Sequence, residues 1–286
     1  MSPFDLPVVR AAAELRARVR GWRAEGERVG LVPTMGALHE GHLSLVRRAR
    51  ESAGRVVASI FVNPAQFEPG EDFEAYPRDE ARDSELLASV GCDLLYAPTM
   101  EVMYPEGFAT AVTVAGVSAE LEGAARPSHF AGVATVVAKL LIQAEPDLAV
   151  FGEKDYQQLL VIRRMARDLD LPVEIVGAPT VREQDGLARS SRNAYLTEEE
   201  RELAGGLNVV LEAISGALAN GLEVAQAEAA ARQGLADIGI TDIDYVQARG
   251  AEDLARLGPG PVDRAARVLA AVRIGRTRLI DNMAVG

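Results

Sequence analysis

Two of the chain's three histidines stand three positions apart, in Leu31-Val32-Pro33-Thr34-Met35-Gly36-Ala37-Leu38-His39-Glu40-Gly41-His42-Leu43. The apolar run Val29 to Val32 reads as a short buried strand, Pro33 and Gly36 end it, and a helical pattern (Leu43, Val46, Ala49, Ala53) starts after His42. A strand that turns tightly into a helix presents backbone N–H groups and the positive end of a helix dipole, which suits a phosphate. Gly41 has no side chain to hold an anion off, and imidazoles three positions apart can turn the same way at the helix start. The expected guest is a nucleotide triphosphate. Two other readings of the pair stay open here. The histidines could be metal ligands, although the HExxH spacing is absent and only His129 and Cys92 remain as further soft ligands. They could equally be ordinary surface or cap residues.

A second set of donors lies far down the chain. Arg189-Ser190-Ser191-Arg192 offers two guanidinium groups and two hydroxyls that can bind phosphate oxygens, or form a solvated linker. Lys154 stands out because it and Lys139 are the only lysines. Together with His39 and His42 these residues supply a ring of donors around a triphosphate. Such a ring favours attack of an oxygen nucleophile on the α-phosphorus with pyrophosphate leaving, which needs charge neutralisation and alignment more than a protein nucleophile. No nucleophilic Cys or Ser motif competes, and neither the P-loop pattern ending in GK[ST] nor GxGxxG is present.

The elements that must position these residues alternate along the chain. Val8, Ala12, Leu15, Val19 and Trp22 predict a helix over 8–25, and Val56 to Val62 is an unbroken apolar run typical of a strand covered on both faces. Helices are expected over 42–53, 79–90, 133–143 and 156–168, and strands over 93–96, 148–151 and 173–176. Repeated βα units of this kind predict an α/β fold, a Rossmann-like parallel sheet with helices on both faces. Ligands then sit beyond the carboxyl ends of the strands. Those ends carry His39 and His42, then Asn63 and Gln66, then Gly152-Glu153-Lys154-Asp155 with Gln158 one turn on, then Gly177 to Val181. The alternating stretch 108–117 predicts an antiparallel or edge strand. Arg126 and His129, before the helix at 133, can reach a ligand carboxylate or phosphate, or be helix-start residues bonded to backbone. The turn-prone stretch 182–186 marks a boundary between a domain of residues 1–182 and a smaller α+β C-terminal domain of 183–286. In the latter, Thr197 and Glu200 form a capping box for a helix to about 219. A second helix over 223–236 and strands over 243–248, 267–274 and 277–282 follow.

With 286 residues, 48% of them hydrophobic, the chain can build a sizeable core, and two domains are expected. A net charge of −12 argues against a general binder of nucleic acid or anionic membrane, so phosphate binding must be local. The single Cys92 rules out an intramolecular disulfide framework and fits a reducing compartment. No apolar run approaches the length of a membrane span, and Met1 to Val9 has no signal-peptide character. A cytoplasmic protein is expected, with no nucleic-acid or membrane partner.

Several of these stretches, taken together, resemble the pantothenate synthetase (pantoate–β-alanine ligase) family of the HxGH nucleotidylyltransferase superfamily. They are Pro33 to His42, Phe61-Val62-Asn63-Pro64-Ala65-Gln66-Phe67, Tyr76-Pro77-Arg78, His129 to Val137, Phe151 to Gln158, and Ser190-Ser191-Arg192-Asn193. The resemblance implies that pantoate carboxylate attacks the ATP α-phosphate to give pantoyl adenylate and pyrophosphate, and that β-alanine then displaces AMP. It implies that ATP is contacted by Met35, Gly36, Ala37, Leu38, His39, Glu40, Gly41 and His42, by Gly152, Glu153, Lys154 and Asp155, by the backbone of Val181, and by Arg189, Ser190, Ser191 and Arg192. Among these His42, the family's proton donor, with His39, Lys154, Ser190, Ser191 and Arg192 would serve catalysis. Gln66 and Gln158 would bind pantoate as uncharged amides, with Asn63, Arg126 and His129 beside them. Mg²⁺ would bridge the phosphates, with Asp83 as a candidate ligand, and the protein would be a homodimer. Arg189 stands where the family carries Met or Leu, and Ser128 and Ala131 replace a Gly and an Arg. Two other classes remain: a nucleotidylyltransferase that moves AMP onto a phosphate, and a non-catalytic nucleotide-sensing module.

Overall fold

Apolar runs too short for helices become six parallel strands: β1 (Val8–Val9), β2 (Val29–Thr34), β3 (Arg55–Ile60), β4 (Leu94–Tyr96), β5 (Leu148–Gly152) and β6 (Glu174–Ala178). They lie in the order β1-β4-β3-β2-β5-β6. The computed structural model describes residues 6–286; the first five, part of the stretch read as lacking signal-peptide character, lie outside the described residues. Helices α1 (Ala12–Ala24), α2 (Glu40–Arg50), α3 (Glu80–Ser89), α6 (His129–Ala144) and α7 (Tyr156–Asp168) alternate with the strands, and two single turns, α4 (Met100–Met103) and α5 (Glu122–Ala125), precede α6. Val32, Val56, Ala58, Leu95, Leu148 and Val150 pack in one cluster with Leu45, Val46 and Ala49 of α2. Their neighbours Leu31, Val57, Leu94 and Ala149 are equally buried. They point to the opposite face by the two-residue period of a strand, where α1 and α6 lie against β2. Burial on both faces is why the strands read as continuous apolar runs.

β3 and β4 follow β2 to one side, whereas β5 and β6 lie on its other side. Strand order therefore reverses between β2 and β5, and the crevice that such a reversal opens lies at their carboxyl ends. The His39–His42 loop follows one of these strands and Gly152 ends the other.

The chain divides into two compact units: residues up to Glu153 with Val161–Pro179, and Lys154–Leu160 with Thr180–Gly286. The first turn of α7 thus groups with the C-terminal part. In the second unit α8 (Glu198–Ala219) and α9 (Val224–Asp237) accompany an antiparallel sheet of β7 (Asp242–Gly250), β8 (Ala266–Ile274) and β9 (Thr277–Val285). The Thr197 hydroxyl accepts from Glu200 N–H at 3.2 Å and the Glu200 carboxylate accepts from Thr197 N–H at 3.0 Å, closing the capping box that starts α8. By length and composition α8, at 22 residues, is one helix among the described residues that could cross a membrane. Its Leu207, Leu211 and Leu218 pack instead with Leu235, Val246, Val268 and Val272 in the core of this unit.

Three expectations are corrected. Residues 108–117 form no strand. Their alternation comes from an extended segment laid along α6, where Val112 N–H donates to the Thr135 hydroxyl at 2.9 Å and the Lys139 ammonium sits 4.8 Å over the Phe108 ring. Val8 and Val9 belong to an edge strand paired with Leu95 and Tyr96, not to the first helix. The helix expected from 133 starts at His129.

α6 also approaches the 3₁₀ turn Pro64–Gln66 more closely than a side chain permits. A Cβ on Gly132 would stand 2.0 Å from the Ala65 carbonyl oxygen and 2.7 Å from Gln66 N, both rigid backbone. Gly132→Ala should therefore lower the unfolding free energy by about 1–3 kcal/mol, the usual cost of overpacking, read as a lower denaturant midpoint at unchanged m-value.

Candidate active site

The turn after β2 has an unusual backbone, with Gly36 at φ +83° and Ala37 at φ +51°. The first suits glycine; the second is a left-handed conformation that alanine adopts only under constraint. The constraint is Asp83 of α3, 1% exposed. Its two carboxylate oxygens accept from Ala37 N–H and Leu38 N–H, each at 2.9 Å. Burial pushes the Asp83 carboxyl above its ordinary value, against the Leu38 and Ala37 N–H groups that hold it down. Thr34 completes the turn, its hydroxyl accepting from Gly36 N–H at 3.2 Å and donating to the Ser59 carbonyl at 2.7 Å. Asp83 was expected as a metal ligand, and the structure gives it another occupation: both oxygens are engaged on loop backbone. Among the described residues, no group of three or more His, Cys, Asp or Glu could hold a metal ion.

His39 and His42 cap the start of α2 reciprocally. His39 Nδ1 accepts from Gly41 N–H at 3.1 Å, and His42 Nδ1 accepts from His39 N–H at 3.3 Å. A ring nitrogen that accepts carries no proton, so each neutral imidazole holds its hydrogen on Nε2. The rings lie side by side, centroids 4.1 Å apart and tilted by 40°. The cap reading and the phosphate reading are thus compatible, because the cap uses Nδ1 and fixes Nε2–H as the second donor.

Asn63, Gln66, Arg126 and His129 come together on the neighbouring strand end. Asn63, 1% exposed, is engaged on every side: Nδ2 donates to the Gly132 carbonyl and to Gln66 Oε1, each at 3.2 Å, and Oδ1 accepts from Ala65 N–H and from Tyr104 OH. Burial pushes the Tyr104 phenol up to about 12, which keeps it a donor. The Gln66 amide reaches the first loop, its Nε2 lying 3.1 Å from Met35 Sδ. Arg126 pairs with both oxygens of Glu71 at 2.7 Å and donates to the Gln66 carbonyl at 3.1 Å. His129 Nδ1 donates to the same carbonyl at 2.9 Å, leaving Nε2 to accept from Arg126 at 3.3 Å. Burial and the Arg126 charge push this imidazole below its ordinary value. Of the two roles expected for Arg126 and His129, the bonds seen are those of helix-start residues bonded to backbone. In this arrangement both hold the Gln66 carbonyl. Ser128, one of the two departures in this loop, donates from its N–H and hydroxyl to Glu68.

Of the remaining candidates, Gly152 and Glu153 end a stretch of the first unit, and Lys154, Asp155, Gln158, Val181 and Arg189 to Arg192 belong to the second. Lys154 pairs with Asp155 at 3.6 Å. Arg189 N–H donates to the Val181 carbonyl at 2.9 Å, so Val181 and Arg189 face each other across a narrow hairpin. The Ser190 hydroxyl accepts from Arg192 N–H at 3.3 Å and caps the 3₁₀ turn Ser191–Tyr195. Asn193 donates to the Ala188 carbonyl at 3.1 Å. Sequence reasoning missed Asp83 as a loop anchor, Glu71 as the partner of Arg126 and Tyr104 behind Asn63.

The family model described as pantoate-beta-alanine ligase matches residues 7–284. A pantothenate synthetase of Caulobacter vibrioides is 62% identical over 280 residues, 98% of each chain. A crystal structure of pantothenate synthetase from Thermus thermophilus superposes with a TM-score of 0.92 at 52% identity, covering 98% of this chain and 99% of that one. A pantoate-beta-alanine ligase from Francisella tularensis, solved in complex with beta-gamma ATP and beta-alanine, superposes with a TM-score of 0.80 at 32% identity over 98% of this chain and 97% of its own. With loop, paired imidazoles and amide cluster placed as described, and with relatives similar from end to end, the chain belongs to the pantoate–β-alanine ligase family.

Proposed function

We propose that this chain condenses pantoate with β-alanine using ATP, and that its own residues divide the work as follows. The Met35–His42 loop and the Gly152–Asp155 turn bind ATP, with Glu40 and Glu153 contacting it through their backbone and Val181 meeting the adenine. The Nε2–H groups of His39 and His42 donate to phosphate as charge builds in the transition state. Gln66 and Gln158 hold pantoate so that its carboxylate oxygen lies in line with the α-phosphorus. That oxygen forms the new P–O bond as the bond to the β-phosphate oxygen breaks. Lys154, Arg189, Ser190, Ser191 and Arg192 stabilise the departing pyrophosphate. The β-alanine amine then attacks the acyl carbon of pantoyl adenylate, AMP leaves, and the nitrogen loses a proton to give the amide.

The observation that carries this reading is the adjacency of helix-start donors and the uncharged Gln66 amide at Met35. A nucleotidylyltransferase needs cations where its phosphate acceptor binds, and Arg126, the guanidinium bonded to Gln66, is occupied by Glu71. Mg²⁺ would enter with ATP and be held by phosphate oxygens, as suits an ion that keeps much of its own coordination shell. A cytoplasmic homodimer belongs to the same reading, supported by the lone, buried Cys92 for the compartment and by family membership for the dimer.

Isotope exchange tests the reaction: pyrophosphate should exchange into ATP only with pantoate present, and AMP should accumulate only after β-alanine is added. Exchange driven by a phosphorylated acceptor would point to the transferase, and ATP binding without turnover to a sensing module. His42→Ala should fold normally and slow adenylate formation on the order of a hundredfold, the loss of one transition-state donor; an unchanged rate would take His42 out of the mechanism. Asp83→Ala should raise the KM for ATP by roughly tenfold, since it frees two loop N–H groups whose order is worth about 1.4 kcal/mol, while the KM for β-alanine stays put.

A further inference from the structure

Asp281 and Asn282 of β9 are adjacent polar residues, each 3% exposed, in a sheet whose buried positions are mostly apolar. Buried polar groups are costly unless bonded, and the bonds these two make reach beyond the sheet. The Asp281 carboxylate accepts from both terminal nitrogens of Arg182, at 2.7 and 3.0 Å, and from the Asn282 N–H at 2.7 Å. Arg182 in turn donates to the Gly186 carbonyl at 3.0 Å and to the Asn282 carbonyl at 3.2 Å. It thereby fixes the base of the hairpin in which Arg182 bridges Ala188, the hairpin that carries Arg189 to Arg192.

Asn282 faces the other donor. Its Nδ2 donates to the Lys154 carbonyl at 2.8 Å. Its Oδ1 accepts from Arg267, which fixes which end of the amide meets Lys154. The Arg267 guanidinium stacks 3.8 Å over the Tyr156 ring, and Tyr156 OH donates to the Ala251 carbonyl at 2.9 Å, so the start of α7 is held from two sides. All of these contacts lie within the second unit.

We propose that Asp281 and Asn282 are positioning residues for adenylate formation: one strand position holds the Arg189–Arg192 loop, the next holds Lys154, and their adjacency sets the spacing of the two groups. The proposal rests on the reading that both groups stabilise the leaving pyrophosphate. A role confined to that step separates it from general scaffolding, because the second half-reaction has no pyrophosphate to hold.

The test uses Asn282→Asp, which keeps shape but turns an oxygen toward the Lys154 carbonyl, and Asp281→Asn, which removes one acceptor from Arg182. Pyrophosphate–ATP exchange with pantoate should fall tenfold or more in each. Pantothenate formation from supplied pantoyl adenylate and β-alanine should stay within twofold of the parent rate. Equal loss in both half-reactions, or unchanged exchange, overturns the proposal. Should either variant fail to fold, the other decides alone, and Asn282→Ala is measured in place of both if neither folds. Lys154→Ala run beside them separates the two levels. If it leaves exchange intact, the role given to Lys154 fails and the proposal with it; if it lowers exchange while the strand variants do not, only the proposal fails.

Discussion

The hydrogen bonds from Ala37 and Leu38 to Asp83 hold a backbone that an alanine avoids by about 1–2 kcal/mol when left to itself. Everything at the carboxyl end of β2 follows from that turn. Leu38 is driven into the core beside α2, which places His39 at the N-cap with an extended backbone and lets its ring reach Gly41 N–H. His42, one turn on, reaches back to His39. The two imidazoles therefore owe their tautomer and their side-by-side arrangement to a carboxylate more than forty positions along the chain. Asp83 is costly to bury as an anion, and the N–H groups it accepts from offset that cost only in part. A carboxylate kept buried under these terms is better explained by the geometry it imposes than by stability it adds.

The same logic explains why the Arg126 charge beside Gln66 is neutralised. The attacking group of the proposed reaction is a carboxylate, and a guanidinium paired with it would stabilise the ground state as much as the transition state, with no gain in rate. Arg126 is close enough to interfere, and Glu71 occupies it. His129 is kept neutral by burial and spends both ring nitrogens on Arg126 and the Gln66 carbonyl. The amide that remains orients without neutralising.

How far the sequence revealed this depends on the range of the interaction. β2, β3, β5 and the Thr197–Glu200 cap were legible because apolar runs and caps are properties of neighbouring residues. So was the polar character of the strand ends. The stretch 108–117 misled because an extended chain alternates whether its partner is a strand or, as here, the side of α6; the hydroxyl of Thr135 that takes Val112 N–H leaves no local mark. Arg126 and His129 were left between two roles because the deciding partner, Glu71, is 55 positions away from Arg126. Asp83 was named as a metal candidate through the family resemblance, which does not show what its oxygens accept from. In each case the pattern named a chemically able residue, and tertiary contacts decided on what the ability was spent.

Net charge imposes a last constraint. A chain at −12 meets a triphosphate that is itself strongly anionic, so the long-range field opposes approach. That field decays over about 8 Å at physiological ionic strength, whereas hydrogen-bond donors act at contact range and are little screened once water is excluded. Under the proposed function, the imidazole Nε2–H groups, Lys154 and the Arg189–Arg192 segment supply the attraction at that short range. Such an arrangement differs in consequence from a cluster of lysines. Donors aimed at one geometry weaken when the α-phosphorus changes partners, and the background charge then favours the exit of pyrophosphate, the most highly charged product, over its retention.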